Sequence, residues 1–314
     1  MRNTDTDSGQ RKTADVLATS APVASTKATH ETLRAVIFDV DGTLAETEAL
    51  GHRAAFNQAF TDFGLDWYWS DQTYGELLSI AGGKERLRHF AHRENADLAR
   101  RADFPEFIAR LHEHKSGLYI ARVLAGGIPL RPGVARLLKE LQTVGIACAI
   151  ASTSTAESVR ALLMALFGRQ ELHHFTVIGA GDIVANKKPA PDIYQWVLQE
   201  LGLDATQCVV IEDSAAGLAA ALAAGIPTVV TRSTYTVNQR FDGALAVLDE
   251  LGEPDRPAGR PGADPVTAAL LCKWHAQQRP EPLSPQQRNC PPPATPGQKE
   301  TRSWTNQIVT PISG

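Results

Sequence analysis

Five short stretches of the chain, LRAVIF (33–38), GIACAIAS (145–152), TVIGA (176–180), CVVIED (208–213) and IPTVV (226–230), are almost continuously apolar. Such runs suit strands covered on both faces, as in a parallel sheet between two layers of helix; a sheet with one wet face alternates apolar and polar residues instead. Helical patterns separate most of them. VARLLKELQTVG places Val134, Leu137, Leu138 and Leu141 on one stripe between Gly133 and Gly145, which predicts a helix with a glycine stop. PDIYQWVLQELG opens with Pro191 and Asp192 and stops at Gly202, while SAAGLAAALAAG opens with the capping candidate Ser214 and closes at Gly225; both read as capped helices. Strand and helix in alternation predict an α/β fold with a Rossmann-like, doubly wound parallel sheet, in which ligand chemistry gathers at the carboxyl ends of the strands.

About a hundred residues separate the first run from the second, far more than one crossover needs. Residues 49–125 read as mostly helical and form an expected cap, inserted over the strand ends between core segments 32–48 and 126–251. Residues 1–31, rich in Ser, Thr, Ala and charge with no apolar h-region, read as a disordered tail. A plastid transit peptide is the alternative for a photosynthetic eukaryote, and Asp5, Asp7 and Asp15 count against it. Residues 252–314 turn to proline and read as a dispensable tail, with one short helix at TAALLCKWHA.

A hydrophobic content of 43% supplies a core, and a net charge of −4 leaves no footprint for nucleic acid or an anionic membrane. The segment AAGLAAALAAGIPTVV (215–230) carries internal glycines and a proline and is not a membrane span. Cys148, Cys208, Cys272 and Cys290 are too scattered for a disulfide framework or a zinc site, and the first two, inside apolar runs, read as buried thiols. A soluble cytoplasmic monomer acting on a small molecule is the expectation.

If the sheet is right, six polar residues meet at its carboxyl edge: Asp39 and Asp41 of FDVDGT, Ser152, Lys188 of NKKPAPD, and Glu212 with Asp213. Four carboxylates in a low-dielectric cleft repel one another unless a cation sits among them. Oxygen ligands without histidine or cysteine favour Mg²⁺. Phosphoryl transfer uses such a site. A carboxylate attacks a phosphate dianion only when positive charge cancels their repulsion, so Asp39 would be the nucleophile beside the metal and Lys188. Asp41, two residues on, would protonate the leaving oxygen and then activate water. Ser152 would donate to a phosphoryl oxygen, Lys188 would align the reacting groups, and Gly42 would let the backbone turn beneath the phosphate.

FDVDGT, Ser152, the Lys188-Pro189 pair and VVIEDS resemble, in order, the four motifs of the haloacid dehalogenase superfamily. The resemblance implies a Rossmann-like core, a phosphoenzyme at Asp39, and Mg²⁺ bound by Asp39, the Asp41 carbonyl and Asp213, with Glu212 ligating or orienting. The second acid, Asp41, points to phosphatase rather than dehalogenase chemistry. DVDGTLAETEALGHRAAFNQAF, GLDWYW, AGGKERL and AGDIVANKKPAPDIYQWVLQELG further resemble the CbbY group, phosphatases linked to Calvin-cycle genes that hydrolyse xylulose-1,5-bisphosphate, an inhibitor of Rubisco. That likeness implies Glu48, Tyr74, Lys84 and Arg86 as holders of the sugar and its distal phosphate, with Gly42, His52, Gly82, Gly83, Thr153 and Ser154 in the substrate-binding set. His52 comes one residue later than the histidine of several members, and Ser158 stands where an asparagine is frequent.

A sugar phosphomutase would use the same core residues and differ only in its product. A receiver-type signalling module also phosphorylates an aspartate beside Mg²⁺, but its acidic pair follows the first strand, its phosphoacceptor a later one, and it has no inserted cap. Lys187 reads as solvated, the spaced pair His112 and His114 as an exposed helix face, and Trp67 and Trp69 as cap packing.

Overall fold

The computed structural model describes residues 32–168, 174–254 and 264–278. Six parallel strands make one sheet in the order β3-β2-β1-β4-β5-β6: β1 (Ala35–Phe38), β2 (Ala147–Ser152), β3 (Phe175–Ala180), β4 (Cys208–Glu212), β5 (Thr228–Thr231) and β6 (Ala246–Leu248). Between β1 and β2 run a π-helical turn (Glu48–Arg53) and helices α1 (Ala54–Asp62), α2 (Asp71–Leu77), α3 (Gly83–Glu94), α4 (Ala96–Ala99), α5 (Phe104–Leu124) and α6 (Val134–Thr143). Helices α7 (Ala156–Phe167), α8 (Asp192–Leu201) and α9 (Ala215–Ala223) follow β2, β3 and β4, and α10 (Ala268–Gln277) comes last.

The apolar runs behave as strands covered on both faces. Along β1, Val36 and Phe38 join one apolar cluster and Ala35 and Ile37 the other, the period of two that a strand imposes. The first cluster is covered by Leu137 and Leu141 of α6, Leu162 of α7 and Leu271 of α10, the second by Ile193 and Val197 of α8 and Ala220 and Ala221 of α9. Helices on both faces make the sheet doubly wound, as the sequence pattern predicts. Strand β6 has no counterpart among the five runs; at three residues on the sheet edge it is too short to print a periodic signal.

Register sets up the chemistry. Phe38 pairs with Ile150 of β2 and Ile211 of β4, so β1 ends level with both neighbours and the residues after it emerge at one rim. Over that rim lies a third apolar cluster, built from Phe56 and Phe60 of α1, Trp67, Trp69, Tyr74 of α2, Leu87 and Phe90 of α3, and Ile108 and Leu111 of α5. Trp67 and Trp69 pack edge-on against Phe60 and Phe90, as cap residues. The long helix α5 joins the two bodies, with Leu111 in the cap cluster and Tyr119 and Val123 in the core.

The expected tail from 252 onward needs a correction. Val266, Ala268 and Leu271 are buried in the core cluster, Thr267 caps α10 by accepting from Leu270 N, and Ala268 N donates to Glu140 of α6. The short helix expected at TAALLCKWHA is present; proline-rich flanks lowered the average hydrophobicity of the segment and hid the stripe that docks it on the core. The expectations for residues 1–31 and for 279–314 lie outside the described residues. Cys148 and Cys208 are buried thiols, both pushed up to about 12 by burial. Among the described residues no helix is long and apolar enough to cross a membrane.

Leu271 is fully buried, so Leu271→Ala is expected to cost about 2 to 5 kcal/mol in urea unfolding. A change within about 0.5 kcal/mol, the usual range of surface positions, would return α10 to the status of a tail.

Candidate active site

The loop after β1 delivers both acids. Asp39 N donates to Ile211 O at 3.0 Å, which extends the ladder one residue past the strand. The chain then turns at Gly42, whose φ of +86° disfavours any side chain; a Cβ there would also stand 2.3 Å from Asp213 Oδ2. Gly42 therefore seats the loop beneath Asp213 and does not line the cavity. Arg131, just ahead of α6, fastens this turn: its buried guanidinium donates to the carbonyls of Gly42, Thr231 (2.9 Å), Arg232 (2.6 Å) and Asp249. Its Nε also pairs with Glu46 at 3.2 Å. Sequence reading missed Arg131, because most of its partners are backbone carbonyls far away in the chain.

Asp39, Glu212 and Asp213 are buried together, each offering an oxygen within 4.8 Å of the others. Lys188 enters from the loop before α8. Its Nζ lies 2.7 Å from Asp39 Oδ1, 2.6 Å from Glu212 Oε1 and 2.9 Å from Ala151 O, which uses all three ammonium hydrogens. Glu212 is equally occupied. Oε1 also accepts from Tyr194 OH, and Oε2 accepts from the backbone N–H groups of Asp213 and Ser214 and from Ser214 Oγ. With both oxygens taken, Glu212 orients Lys188 and the β4–α9 turn. A Cβ on Gly217 would fall 1.7 Å from Glu212 Oε1, so the first turn of α9 admits this carboxylate only because residue 217 is glycine.

The charges are unbalanced. Burial pushes the Asp39 carboxyl up to about 8 although Lys188 pulls it down, and Glu212 and Asp41 push it further. Burial, then Glu212 and Asp39, hold Asp213 well above the usual carboxylate range. Glu212 is held below the usual carboxylate range: burial opposes this, but Lys188 and the backbone N–H groups of Ser214 and Asp213 together outweigh burial. Two acids that protonate for want of a counter-charge, presenting hard oxygens around one point, fit a divalent cation such as Mg²⁺.

Asp41 sits apart from this cluster. Oδ1 accepts from Thr47 Oγ1 and His52 Nε2 (2.9 Å), and Oδ2 accepts from Ser154 Oγ (2.6 Å). Burial would raise its carboxyl, yet the His52 charge and these three donors hold it well below the usual range. His52 is itself fixed. Its Nδ1 lies 2.7 Å from Lys115 Nζ and its ring stacks on Tyr119 at 4.0 Å. Lys115 is held down to about 7 by burial. Lys115 does not stand out in the sequence, and His112 reads there as part of an exposed face. The readable signal was their place on the stripe Phe104, Ile108, Leu111, Tyr119, Val123, where charge does not belong on a helix that buries it.

A single cavity, open to solvent at its mouth, joins the acids to the cap. Asp39, Asp41, Lys188, Glu212, Asp213, Thr153 and Ser154 line its core side, and Glu48, His52, Gly82, Gly83, Lys84, Arg86, His112 and Lys115 its cap side. Ser152 and Tyr74 stand behind the wall. Ser152 accepts from Ser154 N at 3.0 Å; Tyr74 donates to Glu48 and receives Arg86 Nη1 at 3.2 Å. Arg86 spends its other donors on Leu77 O and Ile80 O, so it is half structural. Two expectations change here. His112 is buried against Gly83, not exposed, and Lys187 pairs with Asp182 at 3.0 Å rather than standing in solvent. Burial, then Lys115, Lys84 and Lys187, push His112 down to about 3. Lys84, Arg86 and Lys187 on this part of the lining give it the positive charge that suits an anion.

The haloacid dehalogenase-like hydrolase family matches residues 33–225. Protein CbbY (plasmid) of Cupriavidus necator is 48% identical over 247 residues, covering 77% of this chain and 97% of that protein. The CBBY-like protein of Arabidopsis thaliana is 43% identical, covering 70% of each. Among solved structures, CbbY from Rhodobacter sphaeroides in complex with phosphate is 44% identical with a TM-score of 0.66, over 71% of this chain and 96% of that one. A variant of the same enzyme in complex with xylulose-(1,5)bisphosphate is similar at a TM-score of 0.65, over 69% and 94%. Motifs, sheet order and these likenesses agree: the chain is a hydrolase of the haloacid dehalogenase-like family and belongs within it to the CbbY group.

Proposed function

We propose that this protein is a Mg²⁺-dependent phosphatase of small sugar phosphates, that xylulose-1,5-bisphosphate is its substrate, and that it works through an aspartyl-phosphate on Asp39. The observation that carries the proposal is the two-ended cavity: an acid cluster centred on Lys188 at one end, and at the other Lys84 and Lys115 of the cap with Lys187 of the core loop, around a His112 kept neutral by burial and then by these lysines. A bisphosphate has an end for each. The complex of the related Rhodobacter sphaeroides CbbY with xylulose-(1,5)bisphosphate supports the choice of sugar.

Asp39, Asp213 and the Asp41 carbonyl would hold Mg²⁺, which when bound neutralises the acids and draws charge from the phosphoryl oxygens. Lys188, fixed by Glu212 and Ala151 O, holds Asp39 in line and supplies positive charge to the transferring group. In the first step an Asp39 oxygen bonds to phosphorus, the ester P–O bond breaks, and a proton on Asp41 passes to the departing alkoxide. In the second, Asp41 takes a proton from water, which bonds to phosphorus and releases inorganic phosphate and the Asp39 carboxylate. Thr47, His52 and Ser154 favour the carboxylate form that the water step needs. An arriving phosphate dianion raises the proton affinity of Asp41 and favours the acid form for the first step. Glu48 on the cap wall accepts hydroxyl hydrogens of the sugar, and Lys84 and Lys187 attract the far phosphate.

Phosphate release from xylulose-1,5-bisphosphate, ribulose-1,5-bisphosphate and β-glucose-1-phosphate tests the proposal; the first is expected to be hydrolysed with the highest kcat/KM. Preference for an unrelated monophosphate with both pentulose bisphosphates untouched would sink the substrate, and phosphate returned to the sugar would mark a phosphomutase. Asp39→Asn is expected to lose at least about 10³-fold in turnover, and chelation by EDTA to abolish turnover until Mg²⁺ is restored.

Lys115 gives a pH test. Its folded-state pKa near 7 lies below its unfolded value, so between about pH 7 and 10.4 the unfolded chain binds more protons and stability rises with pH. Relative to Lys115→Met, the wild type is expected to gain up to about 1.4 kcal/mol per pH unit across that window. Parallel stability profiles for the two proteins would show that Lys115 keeps its proton when buried.

A further inference from the structure

The cavity has a support outside its lining. After β5 the chain makes a tight turn: Ser233 N donates to Thr236 Oγ1 at 2.8 Å and Thr236 N to Ser233 O at 3.1 Å. Both hydroxyls face Asp213, Ser233 as a hydrogen-bond donor and Thr236 Oγ1 at 3.5 Å from Oδ2. Gln239, just beyond, accepts from Ala215 N of α9 at 2.7 Å. The turn is thus bolted to the acid cluster, and Tyr235 at its crest crosses to the cap. Its ring meets Tyr74 edge to face, centroids 5.6 Å apart, and its hydroxyl donates to Asp71 Oδ1 at 2.8 Å. Gly75 makes the seat, since a Cβ there would lie 3.3 Å from Tyr235 Cδ1. Tyr74 donates in turn to Glu48, which lines the cavity.

We infer that Tyr235 is a positioning residue, the clasp by which the core holds the cap closed and keeps Tyr74, and through it Glu48, at the substrate. Only the last link, what Glu48 touches, rests on the sugar phosphatase reading. The ring carries the clasp: the hydroxyl meets Asp71, which is 72% exposed, and Arg53, which also pairs with Asp71, so its bonds lie at the solvent edge and add little, whereas an aromatic pair seated against a glycine is a packed contact. A weakened clasp lowers the closed population of the free protein, and saturating substrate restores it. The loss therefore falls on KM and spares kcat.

Hydrogen exchange on the full-length protein without substrate tests the clasp. Tyr235→Ala is expected to speed exchange of the α2 amides about tenfold or more while β1 and β4 keep wild-type rates. Tyr235→Phe, which keeps the ring, is expected to stay within about threefold of wild type. Gly75→Leu improves helix propensity but wedges the ring away, so it is expected to match Tyr235→Ala. With the substrate in hand, KM rises about tenfold in the Ala and Leu variants with kcat within about threefold. Wild-type α2 exchange in Tyr235→Ala, an equal effect from Phe, or faster exchange spread over β1 and β4 would each overturn the inference. If wild-type protein leaves xylulose-1,5-bisphosphate intact, the substrate reading falls while the exchange result still decides the role of Tyr235.

Discussion

The ammonium of Lys188 is the pivot of the site. Three carboxylates cannot share a buried rim of the sheet without positive charge, and Lys188 spends every hydrogen it has on Asp39, Glu212 and Ala151 O. Around it the chain has little freedom. Glu212 accepts five hydrogen bonds, Gly217 makes room for it, and Gly42 makes room for Asp213. Burying such charges costs stability, so their return lies in geometry: the nucleophile can point only where Lys188 and the end of β1 aim it.

Two aspartates of one loop are driven in opposite directions. Asp39 is pushed up to about 8 by burial among like charges, whereas Asp41, buried as deeply, is drawn well below the usual range by His52, Ser154 and Thr47. Identical side chains acquire different chemistry from their neighbours alone, and the divergence matches a nucleophile that awaits a cation and an acid/base that does not.

Much of this was legible in the chain. Strands covered on both faces give long apolar runs, helices between them end in glycine, and a parallel sheet must bring the residues after its strands to one rim; Asp39, Lys188, Glu212 and Asp213 follow from those facts. What stayed hidden depends on contacts distant in sequence. Arg131 speaks to carbonyls, Lys115 looks like any helical lysine until its stripe is counted, and Tyr235 gains meaning only from Gly75. Ser152 and Tyr74, expected to touch the substrate, stand behind the cavity wall, because motif spacing gives a residue's neighbourhood and not its line of sight. The helix α10 was expected, but its docking on the core was lost to averaging over its proline-rich surroundings.

The cap and the chemistry are joined through Asp41. The segment from Asp41 to His52 is the passage from core to cap, and it holds Thr47 and His52, two of the three donors to that carboxylate, as well as Glu48 on the cavity wall. Lys115, which fixes His52, projects from the stretch of α5 between its cap half and its core half. A displacement of the cap moves these groups before it moves Asp39, which is held by Lys188 and Ile211 O, and Lys188 in turn by Ala151 O and Glu212, all of the sheet and its loops. In the proposed reaction the nucleophile is therefore built into the sheet, while the proton-transfer group is built into the joint, so proton transfer through Asp41 would depend on the position of the cap and attack by Asp39 would not.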